Sequence, residues 1–112
     1  MSEEAKYRII LSLMEENGLD YIKEFRISLR KDQIVIVGRS NEAQLPIEDE
    51  NASRKHFYFL IKDEQVYIQD MESKNGTFIN KRLTQSSAIK PNDYIAVGSH
   101  LFLVKSIDKL RA

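Results

Sequence analysis

The 112-residue chain carries 17 Lys and Arg against 17 Asp and Glu, a formal net charge of zero, so no global field draws it to nucleic acid or an anionic membrane, and any anion recognition has to be local. Its length suits one domain with a single hydrophobic core. The absence of cysteine excludes a disulfide framework and a thiolate metal site, the two histidines, His56 and His100, are too few for most metal clusters, and no apolar run approaches the ~18 residues of a membrane span or forms a signal peptide, so a cytoplasmic setting is expected.

Tyr7 to Met14 places Ile9, Leu11 and Leu13 on one parity and Ile10 and Met14 on the other, which predicts a strand covered on both sides. Glu15-Glu16-Asn17-Gly18 predicts a hairpin turn, because Asn and Gly both tolerate positive φ. From Ile22 to Leu29, Phe25, Ile27 and Leu29 alternate with Arg26 and Ser28, the period of a sheet with one wet face. Lys31-Asp32 turns the chain into Gln33 to Val37, a β-branched buried strand that delivers it to Gly38. Ser40 to Ala52 is a polar loop in which Leu45 and Ile47 are anchors to the core and Pro46 discourages a helix. Within it, Glu48-Asp49-Glu50 reads as a solvated acidic run, the alternative being carboxylates that face a ligand groove and disfavour acidic ligands.

Alternation returns at Phe57, Phe59 and Ile61, breaks at Asp63-Glu64 and resumes over Gln65 to Asp70. A turn-rich loop, Met71 to Gly76, precedes a short strand at Thr77-Phe78-Ile79, and Asn80-Lys81-Arg82 turns again. Tyr94 to Val97 and Leu101 to Ile107 are the last strands, with Asp108 to Ala112 expected as a frayed end or the beginning of a linker. At least about eight short strands, with turn signals between them and no helical period, predict an antiparallel β-sandwich.

Three polar clusters sit in the predicted loops. At Gly38-Arg39, glycine permits close backbone approach and arginine can project a donor fork into a ligand site; taken alone, the arginine reads more readily as a solvated turn residue. Ser53-Arg54-Lys55-His56 combines a hydroxyl, two cations and an imidazole. A hydrolase pair of Ser53 and His56 is disfavoured because no nucleophile elbow or third orienting carboxylate is evident, so Ser53 reads as a hydrogen-bond donor to an anion and His56 as a packed brace. Ser73-Lys74-Asn75-Gly76-Thr77 is a tight turn that Asn-Gly conformation alone can explain. Asn75-Gly-Thr and Asn51-Ala-Ser match the glycosylation sequon, which without a secretion signal is read as coincidence.

Jointly these clusters are more specific. The order Gly38-Arg39, Ser53-x-x-His56, Asn75-Gly76-Thr77 and Asn80, each beside a predicted strand, resembles the forkhead-associated (FHA) domain. Asp70 to Asn80 is similar to that family's D-x-x-S-x-N-G-T-F-x-N stretch, and Pro91-Asn92-Asp93-Tyr94-Ile95 to its P-G-D-x-I. The resemblance implies an all-β antiparallel sandwich of about 11 strands, one domain over residues 1–112 with a core of about residues 7–107 and short flexible termini. It also implies a non-catalytic module without cofactor or metal whose end loops bind phosphothreonine-containing proteins or peptides in Ser/Thr-kinase signalling. Carried over by residue, Arg39 and Ser53 hold the phosphate, Arg54 adds a second contact, Asn75 bonds the peptide backbone, and Asn51 lies in the loop that helps read the peptide. Gly38, His56, Gly76, Thr77 and Asn80 fall on positions that shape the loops. Lys74 stands where the family often has Thr or Ser, and either supplies a charge to the phosphate or points to solvent. The alternatives are a phosphate-independent interaction module of the same fold and a regulatory domain fused into a larger signalling enzyme.

Overall fold

In a computed structural model, residues 6–110 are described as eleven strands and no helix. In chain order these are β1 (Lys6–Met14), β2 (Tyr21–Arg30), β3 (Val35–Gly38), β4 (Leu45–Pro46), β5 (Phe57–Lys62), β6 (Gln65–Asp70), β7 (Thr77–Ile79), β8 (Arg82–Leu83), β9 (Ser86–Ala88), β10 (Tyr94–Val97) and β11 (His100–Leu110). A six-stranded sheet in the order β2-β1-β11-β10-β7-β8 packs on a five-stranded sheet in the order β4-β3-β5-β6-β9.

The alternation decides which face is inside. Ile9, Leu11, Ile27, Leu29, Ile95, Val97, Phe102 and Val104 of the first sheet are buried in one cluster with Val37, Phe57, Phe59, Val66 and Ile68 of the second. Two edge-to-face aromatic pairs, Phe25–Phe102 at 6.0 Å and Phe57–Phe59 at 5.1 Å between ring centroids, lie in it or against it. Such pairs add about 0.5–1.5 kcal/mol beyond their burial.

Several turns follow their chemistry. Asp63 and Glu64, both at positive φ (51° and 59°), join β5 to β6 in the mirror-image turn whose twist suits a hairpin. Between β1 and β2 only Gly18 has positive φ (72°). Asn17 serves that turn with its side chain instead, its Oδ1 accepting the N–H groups of Leu19 and Asp20, an Asx arrangement.

The structure corrects the expected elements in five places. β3 begins at Val35, and Ile34 is exposed. The anchored loop contains the short strand β4, which runs parallel to β3 through Val37↔Leu45, so the sandwich is not wholly antiparallel. Arg82–Leu83 and Ser86–Ala88 are strands β8 and β9, too short and too polar to show an alternation. Asp108 to Leu110 do not fray: they continue β11 because β1 is long enough to pair with them, Arg8 opposite Asp108 and Lys6 opposite Leu110. The remaining two positions of that expected frayed end lie outside the described residues. Asp49, expected in a solvated run, is buried.

Replacing Phe59, which has no exposed surface, by Ala is expected to cost about 3–5 kcal/mol in urea denaturation through lost burial and a residual cavity. Replacing the exposed Leu83 by Ala should stay within about 0.5 kcal/mol. Equal losses at the two positions would contradict this core.

Candidate functional site

The site is built on the end of β3. Val37 C=O accepts the His56 N–H, Gly38 C=O accepts the Ile47 N–H, and the N–H groups of Arg39 and Ser40 donate to the carbonyls of Ser53 and Arg54, all at 2.9–3.0 Å. The chain leaving β3 is thus zipped along the segment that enters β5. That approach leaves no room for a side chain at position 38: a Cβ there would overlap the Arg54 carbonyl oxygen and stand 2.8 Å from its carbon. Gly38 is required by proximity, without any unusual φ.

His56 joins this segment to the loop between β6 and β7. It is fully buried; its Nδ1 accepts the Ser53 N–H at 2.9 Å, and its Nε2 lies 2.7 Å from the Gly76 carbonyl. A backbone N–H can only donate, so Nδ1 is the bare nitrogen and Nε2–H donates to Gly76. Both nitrogens are occupied and neither faces the Ser53 hydroxyl, so the two residues are not arranged as nucleophile and base.

Ser53 is held on three sides. Its carbonyl accepts Arg39 N–H, its N–H meets His56, and its Oγ accepts the Lys74 N–H at 2.9 Å. The hydroxyl hydrogen is left without a partner among the described residues. The Arg39 Nε donates to the Ala52 carbonyl at 3.1 Å, which orients the guanidinium and leaves its terminal nitrogens free to donate. Arg54 and Lys74 are exposed, and neither they nor Arg39 forms an ion pair among the described residues. Asn75 Nδ2 donates to the Asn51 carbonyl at 2.8 Å, a second stitch between the same two loops.

The β6–β7 loop owes its shape to Asp70. Its carboxylate accepts Ser73 N–H and Oγ–H and the hydroxyl of buried Thr77, while Ser73 Oγ accepts Gly76 N–H. Gly76 has φ of 89°, the left-handed region that glycine enters freely. Asn80, at φ 50°, lies away from the cradle: its side chain donates to Asp93 and accepts Tyr94 N–H, clamping the approach to β10.

One participant was not anticipated. The Asp49 carboxylate accepts Asn51 N–H (2.8 Å), Ser99 N–H (2.6 Å) and His100 Nδ1–H (2.9 Å), tying the β4–β5 loop to the β10–β11 turn. Its only trace in the sequence is the Asp-x-Asn spacing of an Asx turn. Burial pushes the Asp49 carboxyl up, but the hydrogen bonds from His100, Ser99 and Asn51 and the imidazole charge outweigh it and hold the group below its ordinary 3.8. Asp70 behaves alike, its burial outweighed by donors from Ser73 and Thr77.

The arrangement therefore offers unspent guanidinium, ammonium and hydroxyl donors on neighbouring loops of the sandwich, suited to holding an anion. No group of three or more acidic, histidine or cysteine side chains positioned for a metal occurs among the described residues, and no helix there is long and apolar enough to cross a membrane. The fold and cradle define a β-sandwich recognition domain of the end-loop type.

Residues 35–98 match the family model described as FHA domain, and the chain belongs to that family. The oxoglutarate dehydrogenase inhibitor of Corynebacterium efficiens is 31% identical over 61 residues, covering 54% of this chain and 43% of that protein. The FHA domain-containing protein FhaB of Mycobacterium tuberculosis is 28% identical over 86 residues, 77% of this chain and 52% of that one. The chain thus spans about half the length of these curated relatives. A structure from work on phosphothreonine-dependent FHA domain interactions matches with a TM-score of 0.71 at 26% identity, covering 88% of this chain and 95% of that one.

Two predictions follow from this geometry. Gly38→Ala should cost about 2–3 kcal/mol by denaturation, because backbone rather than a flexible side chain must move; an unchanged midpoint would refute the close approach. Because Asp49 and Asp70 are depressed below 3.8, the stability they contribute is complete above that value and is lost as pH falls through their lower folded-state values. The thermal midpoint should drop in that acid range, and Asp70→Asn should be less stable near neutral pH yet show a shallower acid drop. An acid drop of undiminished size in that variant would contradict the assignment.

Proposed function

We propose that this FHA domain is a phosphothreonine-dependent recognition module acting in Ser/Thr-kinase signalling in the cytoplasm, binding a phosphorylated protein or peptide without catalysing a reaction. The observation that carries this reading is that the guanidinium of Arg39 and the hydroxyl of Ser53 are fixed by backbone partners on their inner sides, with their outward donors unspent. A phosphothreonine brings about −1.5 to −2 charges and three acceptor oxygens, which such donors match by charge-assisted hydrogen bonds. In this proposal Arg39 and Ser53 grip the phosphate, and Arg54 and the Lys74 ammonium add charge at its rim. The Asn75 side chain, using the N–H not spent on Asn51 and its Oδ1, holds the peptide backbone, and Asn51 lines the path of the residues that follow. Gly38, His56, Gly76, Thr77 and Asn80 shape the loops. One module over residues 1–112, fused to other domains in a longer chain, fits relatives of which the matched stretch covers only about half.

A second reading has its own observation. Leu19, in the turn before the edge strand β2, and Tyr21 and Ile22 at its start are 82%, 59% and 49% exposed, a candidate surface for binding that ignores phosphate.

Calorimetry with matched phosphothreonine, phosphoserine and unmodified peptides separates the two. The phosphothreonine peptide should bind best, and Arg39→Ala should weaken it by about 2–4 kcal/mol. Equal affinity for all three peptides, or binding indifferent to Arg39, would transfer the function to the apolar edge.

A further inference from the structure

The phosphate-binding reading accounts for Arg39 but not for the carboxylate buried behind it. Asp49 lies in the β4–β5 loop with its side chain 4% exposed. Burying a charge there is costly unless it is compensated, and a loop anchor did not require one, since Ile47 already supplies an apolar anchor two residues earlier. The compensation is complete and comes from two directions. Ser99 N–H donates from the β10–β11 turn and the His100 ring from the start of β11, and Asn51 N–H donates from Asp49's own loop. At Gly98, φ is +59° and an added Cβ would stand 2.6 Å from the Asp49 Oδ2, so the carboxylate packs directly on the turn's backbone.

The next link leads to the ligand side. The Asp49 carbonyl accepts Ala52 N–H at 3.0 Å, and the carbonyl of that same Ala52 accepts the Arg39 Nε at 3.1 Å. The path from the start of β11 to the guanidinium therefore runs His100 to Asp49 to Ala52 to Arg39, each step a hydrogen bond, and Ala52 is itself buried. The guanidinium orientation depends on where the Ala52 carbonyl points, and that depends on the tight turn Asp49 holds closed.

We propose that Asp49 is a positioning residue for phosphate recognition, aiming Arg39 through the Ala52 carbonyl, with His100 as the brace that fixes Asp49. The inference rests on the phosphothreonine reading of the site. An arginine is sensitive to such aiming because its donors form a rigid planar fork, whereas a lysine in its place has no Nε–H to hold the Ala52 carbonyl and presents a freely rotating point charge.

That difference supplies the test, a double-mutant cycle in which affinity, not stability, is read. A phosphothreonine peptide selected from a degenerate library against the unsubstituted protein is titrated calorimetrically into D49N, H100A, R39K and the doubles D49N/R39K and H100A/R39K, each checked for the native β circular dichroism. Asp49→Asn should weaken the peptide about tenfold and His100→Ala about threefold, and each should change affinity less than twofold once Arg39 is Lys. Should Asp49→Asn fail to fold, the His100→Ala cycle decides alone. Unchanged affinity in the folded single variants, or the same factor in both backgrounds, would reduce Asp49 to a staple between sheets and overturn the proposal while leaving the binding function intact. A library that selects no phosphate-dependent binder at all would remove the functional reading and this inference together.

Discussion

The imidazole of His56 is the contact on which the rest of the site depends. Fully buried between the Ser53 N–H and the Gly76 carbonyl, it connects a loop of the five-stranded sheet to the turn that opens β7 in the six-stranded sheet. At that depth each backbone group it satisfies would otherwise be stranded. Gly38 makes this possible by letting β3 approach the backbone of Arg54 and His56 closely. A glycine and a neutral histidine, neither with an atom directed to a ligand, bring Ser53 Oγ to Lys74 N–H and Asn75 to the Asn51 carbonyl.

From that junction the electrostatics follow. The chain is neutral overall, yet Arg39, Arg54 and Lys74 stand on the two loops that meet at Ser53 without an ion-paired acid among the described residues, while the buried carboxylate of Asp49 and the half-buried one of Asp70 spend their charge on loop donors. Two carboxylates, Asp49 and Asp70, turn inward and shape the loops, while the cations Arg39, Arg54 and Lys74 sit outward. Donors pre-set in this way lose little freedom on meeting an anion, which is how a small rigid surface achieves selective binding.

Much of this was legible in the residues. Phe57-Phe59, Ile27-Leu29 and Val66-Ile68 announce their strands by alternation, because a half-buried sheet imposes a period of two. Gly38, Ser53, His56, Asn75 and Asn80 could be placed in loops at strand ends by residue type and order. Three kinds of feature were not readable. β4, β8 and β9 are two or three residues long, shorter than any period, and exist because a neighbouring strand offers partners. Asp108 to Leu110 are polar enough to suggest fraying, but a partner strand distant in sequence decides their state. Asp49 lies between two glutamates that are exposed. Its burial depends on Ser99 and His100, some fifty residues away, and no local pattern carries that information.

The central claim is that two loops, spliced by His56, act as a single anion-binding unit. Titration of a phosphothreonine peptide followed in two-dimensional 1H–15N spectra tests it most directly. The account predicts that the Arg39 Nε–H, the Lys74 backbone N–H and the Asn75 side-chain amide shift together along one saturation curve. It would be contradicted if only one loop responded, if the two saturated at different peptide concentrations, or if the shifts gathered on Leu19 to Ile22 and left both loops unmoved.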